Sequence, residues 1–249
     1  LRDDLNQEAM EAAKSGNKPQ RTFYFEMAKL KKNARTISKS TLEKAEGKKK
    51  AAIDVPATVK EAKITNATYK VTALKSGAFK GSAAKTATLV NAKNIKSIPG
   101  SLFKDSASLT TVTLGSIVKT IPSNTFNGCK KLTSVKMSSA VKSVGSSAFA
   151  GCTSLKTFTA SKSTKTIGSK AFNGCTSLQS VTLGKSTTKI GSGAFTNCKK
   201  LAKLSVSQKV KVGKNAFKGC KKTIKVSGKS ANKKFTVEQI QKSGYKKVK

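Results

Sequence analysis

Five cysteines are the residues of this chain best suited to chemistry, and they fall on a beat. Cys129, Cys152, Cys175, Cys198 and Cys220 are separated by 23, 23, 23 and 22 residues. A thiolate can act as a nucleophile, a redox centre or a metal ligand. Each use needs neighbours. Zinc sites pair ligands at short spacings such as C-x2-C, and this chain has none. It has no histidine either, so the commonest general base and metal ligand is missing. One cysteine per repeat, always at the same phase, reads more simply as a small buried hydrophobe. Stacked repeats could bring cysteine α-carbons into disulfide range. An odd number still leaves one thiol unpaired in a monomer.

Other chemistry is equally poorly supplied. Of the eleven acids, seven lie in residues 1–50, and Asp105 is alone between Lys63 and Val237. Paired carboxylates are therefore unavailable across most of the chain. Gly145, Gly168, Gly191 and Gly213 read as turn positions, since no G-x-x-x-x-G-K-[ST] phosphate loop occurs. Phe23-Tyr24-Phe25 is an aromatic cluster that fits either a binding patch or the packing of a cap. Asn66-Ala67-Thr68 matches a glycosylation acceptor, a triplet common by chance. The expectation is a protein without catalytic residues, cofactor or metal.

The elements that set the cysteine beat are built around phenylalanine. Phe79, Phe103, Phe126, Phe149, Phe172, Phe195 and Phe217 recur at steps of 24, 23, 23, 23, 23 and 22. Each of the last five is followed at three places by a cysteine. After Phe149 come Leu155 at six and Phe158 at nine; after Phe172 come Leu178, Val181 and Leu183. Segments such as LTTVTL (109–114), LTSVKM (132–137), LQSVTL (178–183) and LAKLSV (201–206) end in a period-two alternation. That pattern marks a short half-buried strand. The preceding IGSSAFAGC-type segment reads as a turn followed by a short helical or 3₁₀ stretch that carries Ala-Phe inward. A unit of this size cannot bury its apolar residues alone, so copies must stack into a solenoid. The strands then form a parallel sheet at about 4.8 Å per coil, and seven coils extend on the order of 35 Å.

The pattern I-G-x-x-A-F-x-G-C-x-x-L-x-x-V-x-L resembles the BspA-like subfamily of leucine-rich repeats. The resemblance covers about residues 53 to 226, starting from VPATV (55–59) and TYKVTALKSGAFKG (68–81). The first two coils depart from it: Ser82 and Ser106 stand where later coils have Cys, and Lys85 stands where a core Leu is expected. The fold expected is a leucine-rich-repeat solenoid of about seven coils with a parallel sheet on one face. The resemblance implies a secreted or cell-surface bacterial protein that contacts host or matrix macromolecules. Similar repeats also occur in surface proteins of some parasitic protists.

Three regions follow: a helical N-terminal segment or cap (1–50), the solenoid (51–226) and a C-terminal cap (227–249). DDLNQEAMEAAK reads as a helix broken at Asn17-Lys-Pro19, with a second start near Thr22 and a capping box at Ser40–Glu43. Gly47–Lys50 fits a linker. Thr236–Gln239 fits another capping box, with Phe235 and Ile240 as its staple and Gly244 as the stop. No apolar run reaches the length of a membrane span. The chain opens at Leu1 without a signal-peptide core, so a leader is expected to have been removed.

Hydrophobic content of 37% with 6% aromatics suits many thin layers rather than one thick core. The net charge is +39, and all three arginines, Arg2, Arg21 and Arg35, precede the repeats. A lysine surface with so little counter-charge attracts polyanions, or simply keeps exposed positions soluble. Without arginine in the repeats, sequence-specific nucleic-acid readout is not expected. The remaining candidate surface is the outer side of the strands: Thr111, Thr113, Ser134, Lys136, Thr157, Thr159, Ser180, Thr182, Lys203 and Ser205. It offers hydroxyls and amines but no ring. An extended extracellular partner is expected there, a host or matrix protein or an anionic glycan or wall polymer. Two other readings stay open: a polyanion binder using the lysine surface at large, and a structural spacer that displays another domain.

Overall fold

A computed structural model describes residues 36–37, 52–54, 58–60, 68–70, 73–74, 76–90 and 97–249. The expected N-terminal helices, the aromatic cluster at 23–25 and the capping box at 40–43 lie outside the described residues. Within 1–50, Thr36–Ile37 forms a strand that pairs in parallel with Ala73–Leu74.

The described residues form a parallel β-solenoid whose central coils, from the one with Thr111–Thr113 to the one with Lys203–Ser205, each contribute to three stacks. Three-residue strands form the first stack. Ala52–Asp54, Thr86–Thr88, Thr111–Thr113 and Ser134–Lys136 make one sheet; Thr157–Thr159, Ser180–Thr182, Lys203–Ser205 and Lys225–Ser227 make a second. Register is one residue on its repeat equivalent, as in Thr157↔Ser180↔Lys203↔Lys225. The interruption falls where Phe158 stands at the inward position held by Ala87, Val112, Val135, Val181, Leu204 and Val226 in the other coils. Its ring lies 4.5 Å from that of Phe172 and 5.5 Å from that of Phe149. On the other side of the break Val135 is only half-buried.

A second stack consists of two-residue strands, Thr120–Ile121, Ser143–Val144, Thr166–Ile167, Lys189–Ile190 and Lys211–Val212, paired in sequence order. It runs unbroken past Phe158. Sequence reading missed it because two residues are too short to show an alternation.

The third stack is made of turns, and the helical or 3₁₀ stretch expected there is absent from the described coils. The reason is the backbone. Residues two before and two after each Phe are left-handed: Ser147 (φ 54°) and Gly151 (φ 72°) flank Phe149, and Lys170 (φ 53°) and Gly174 (φ 73°) flank Phe172. A left-handed residue cannot continue an α-helix. Alternate N–H groups then serve two masters. Those of Ala150 and Cys152 close local turns to Ser147 and Phe149, while those of Phe149 and Gly151 reach Ala171 and Asn173 of the next coil at 2.7 and 2.8 Å.

The core is one column per repeat position. Consecutive rings of the phenylalanine column from Phe79 to Phe217 lie 5.1 to 5.6 Å apart and nearly parallel. Leu102, Leu109, Leu132, Leu155, Leu178 and Leu201 are buried beside it. Lys85 is exposed, not in the core. Register pairs Thr86 with Thr111, so the first coil is one residue short between Phe and strand, and buried Ala84 takes the leucine place.

The C-terminal cap is helical but begins earlier than expected. The helix spans Ser230–Lys242, with Lys229 at its N-cap and no side-chain cap hydrogen bond. Thr236 is therefore mid-helix and buried, not a cap. Its Oγ1 donates to Asn232 O at 2.8 Å and accepts from Val210 N–H at 3.3 Å, tying the helix to the last coils. Gly244 does end it, with φ 97°. Tyr245 closes the phenylalanine column, its ring 6.0 Å from that of Phe217.

Candidate functional site: the strand face and the thiol column

All ten predicted strand-face residues lie on the first stack, exposed or half-buried. Pairing places Thr111 on Ser134, and Thr157 on Ser180 and Lys203. A second line places Thr113 on Lys136, and Thr159 on Thr182 and Ser205. The break in the sheet divides this array into a segment before Thr157 and a segment from Thr157 onward. Sequence reading missed four members. Thr86 and Thr88 belong to the shortened coil that lacks cysteine. Lys225 and Ser227 belong to the last coil, where exposed Thr223 stands in register with Leu201 and buried Ile224 follows it. The T-A-T and K-V-S alternations were the available signal.

Many hydroxyls among the described residues are spent inside the chain, including exposed or half-buried ones just before the strands, such as Thr110 Oγ1, which donates to Lys85 O at 2.8 Å. Buried ones are committed: Thr164 Oγ1 donates to Val141 O at 2.8 Å and Thr187 Oγ1 to Thr164 O at 2.6 Å. Among the described residues, the hydroxyls of Thr111, Thr113, Ser134, Thr157, Thr159, Ser180, Thr182 and Ser205 make no hydrogen bond within the chain. They are left for solvent or a partner.

The cysteines are all free and buried. They are more than apolar filler. Each Sγ donates to the carbonyl of the phenylalanine one coil back, for example Cys175 to Phe149 O at 3.1 Å and Cys152 to Phe126 O at 3.2 Å. Ser106 makes the same bond to Phe79 O at 2.8 Å. That shared donor role explains why serine can stand in the cysteine place in an early coil. Burial pushes the Cys129, Cys175 and Cys220 thiols from 9.0 up to about 12. It drives Cys152 and Cys198 higher as well, with neighbouring cysteines adding to the effect. Such thiols are poor nucleophiles. Among the described residues no group of three or more His, Cys, Asp or Glu is placed to hold a metal.

The glycines at strand ends are required by space. A Cβ on Gly168 would stand 2.6 Å from the carbonyl carbon of Gly145, and one on Gly191 2.5 Å from the Ser169 nitrogen. Their φ values are ordinary, so the constraint is the closeness of the preceding coil's backbone, not turn geometry.

The family model for the BspA type leucine-rich repeat region matches in six copies over residues 57–163 and 143–248. The chain belongs to the BspA-type leucine-rich-repeat family. Solved structures of the same kind agree with the solenoid. A leucine-rich repeat protein from Bacteroides ovatus is 26% identical, with TM-score 0.59 over 67% of this chain and 43% of its own. A leucine-rich cell surface protein from Faecalibacterium prausnitzii is 27% identical, with TM-score 0.59 over 73% of this chain and 48% of its own. This BspA-type chain thus spans less than half the length of either. Comparison with curated proteins gives no match. Among the described residues no helix is long and apolar enough to cross a membrane.

Proposed function

We propose that this BspA-type protein is a secreted or cell-surface binding module that works without catalysis. Its strand face is the contact surface, and its partner is an extended extracellular macromolecule. The observation behind this reading is the array of uncommitted hydroxyls and lysines held in register coil after coil. Each contact is weak, so only a partner that spans several coils accumulates useful avidity. A small ligand would find no pocket-forming ring on this face. The cell-surface character of the Faecalibacterium relative supports the location.

The test is a charge-matched pair of variants. Thr157→Glu with Thr159→Glu changes the strand face by two charges; Lys170→Glu changes the turn stack by the same amount. Binding to immobilised mucin and to fibrillar matrix proteins is measured for each. The strand-face variant is expected to lose binding while keeping its unfolding temperature. Loss in the Lys170 variant alone would move the function to the turn side.

A further inference from the structure

A second surface stands out on the stack of two-residue strands, and it does not depend on the strand-face reading. At the entry to each two-residue strand, five successive coils present one exposed lysine: Lys119, Lys142, Lys165, Lys189 and Lys211. The first three stack directly, since Lys142 N–H donates to Lys119 O and Lys165 N–H to Lys142 O, both at 2.7 Å. The line then steps by one residue. Lys189 pairs with Thr166 and Lys211 pairs with Lys189. With about 4.8 Å between coils, the five backbone positions span about 20 Å along the solenoid. Beside them runs a hydroxyl row, Thr120, Ser143 and Thr166, in which Ser143 Oγ donates to Thr120 Oγ1 at 3.2 Å.

Like charges this close lie within one Debye length at physiological salt and repel across neighbouring strands. The chain supplies little relief: from residue 97 to 249 its only carboxylate side chains are Asp105, in a turn of the third stack, and Glu238, on the C-terminal helix. An external anion with repeated charges would remove the repulsion and release its own counterions. The geometry points to a linear anionic glycan, laid along the solenoid axis, as the ligand of this lysine line. Ammonium groups would meet its sulfate or carboxylate groups, and the hydroxyl row would meet its sugar hydroxyls. Single-stranded nucleic acid fits less well, because it needs exposed rings or arginines to stack on. Val90 is the only large hydrophobic residue exposed among the described ones, and all arginines precede residue 36. Duplex DNA presents its charge as a broad rod rather than a single row.

The experiment uses the whole chain with dextran sulfate and polygalacturonate as the sulfate and carboxylate probes. Neutral dextran and a DNA duplex are the comparisons. Lys119→Gln, Lys142→Gln and Lys165→Gln are combined in one variant. Lys130→Gln, Lys170→Gln and Lys218→Gln, exposed lysines of the turn stack, are combined in a control of equal charge. The line variant is expected to bind the anionic glycans about tenfold more weakly, with a salt slope shallower by about 2 to 3. The control should change by no more than about threefold on the same counterion-release basis. Dextran sulfate should raise the unfolding temperature of the parent protein, and the line variant should gain less. The variant itself should unfold no earlier than the parent, since it has lost repulsion. Equal losses in both variants would show diffuse charge and overturn the site. Duplex DNA binding that is as tight and as dependent on the line would overturn the ligand class. A less stable line variant would overturn the repulsion argument.

Discussion

A single side chain shows how this protein uses its apparent chemistry. The thiol of Cys175 is buried, donates to Phe149 O, and is pushed by burial from 9.0 to about 12. The folded state therefore prefers the protonated thiol. Stability from this preference is fully present below about pH 9. It is lost as pH rises toward about 12, because the unfolded chain releases its protons first. Cys129 and Cys220 act in the same window. Chemical denaturation at pH 8 and at pH 10.5 should give a clearly lower midpoint at the higher pH. A variant with these three cysteines changed to serine should flatten that dependence. At neutral pH a thiol reagent should label all five slowly in the folded protein and rapidly in denaturant, and fast native labelling of Cys152 would contradict its burial.

The element is the turn stack, where backbone constraints decide which residue types are allowed. Gly168 sits against Gly145 with no room for a methyl group. Gly168→Ala should cost about 1–3 kcal/mol through forced displacement of the neighbouring coil. Two residues on, Lys170 occupies a left-handed conformation that glycine holds in the equivalent places Gly77 and Gly193. Lys170→Gly should leave stability unchanged or raise it by up to about 1 kcal/mol, relief of the left-handed strain outweighing glycine's greater entropy loss. The denaturant midpoint should fall for Gly168→Ala and hold or rise for Lys170→Gly. Two downward shifts would mean that the turns are held by side-chain contacts rather than backbone geometry.

At the scale of the whole molecule, stability passes from coil to coil. Phe149 is fully buried, with Phe126 and Phe172 stacked at 5.1 Å on either side. Phe149→Ala should cost about 3–5 kcal/mol, as for a buried core aromatic. Phe79, with a described ring on one side only, should cost less. Near-equal losses at the two positions, or a loss below about 1 kcal/mol at Phe149, would be at odds with a nearest-neighbour stack. Net charge acts globally too. With +39 on the chain, moderate salt should raise the unfolding temperature by screening self-repulsion.

The repeat was fully legible in the sequence because stacking forces the same side chain into the same layer in every coil. Phe149, Cys152 and Leu155 could be placed inward from spacing alone, and the period sufficed to put Thr157 and Thr159 on an outward face. Only the tertiary structure decided what each coil does with the rest of its length. The two-residue strands are too brief to leave a periodic signal, and they exist because the neighbouring coil supplies their hydrogen bonds. The turns resemble helix starts in composition, yet their N–H groups are claimed by the next coil. Lys85 looked like a core defect until register shifted Ala84 into its place. Thr236 looked like a helix cap, but contact with Val210 buried it in mid-helix. In each case the deciding partner lies one coil away, about 20 to 27 residues along the chain, at the distance where stacking rather than local preference sets the structure.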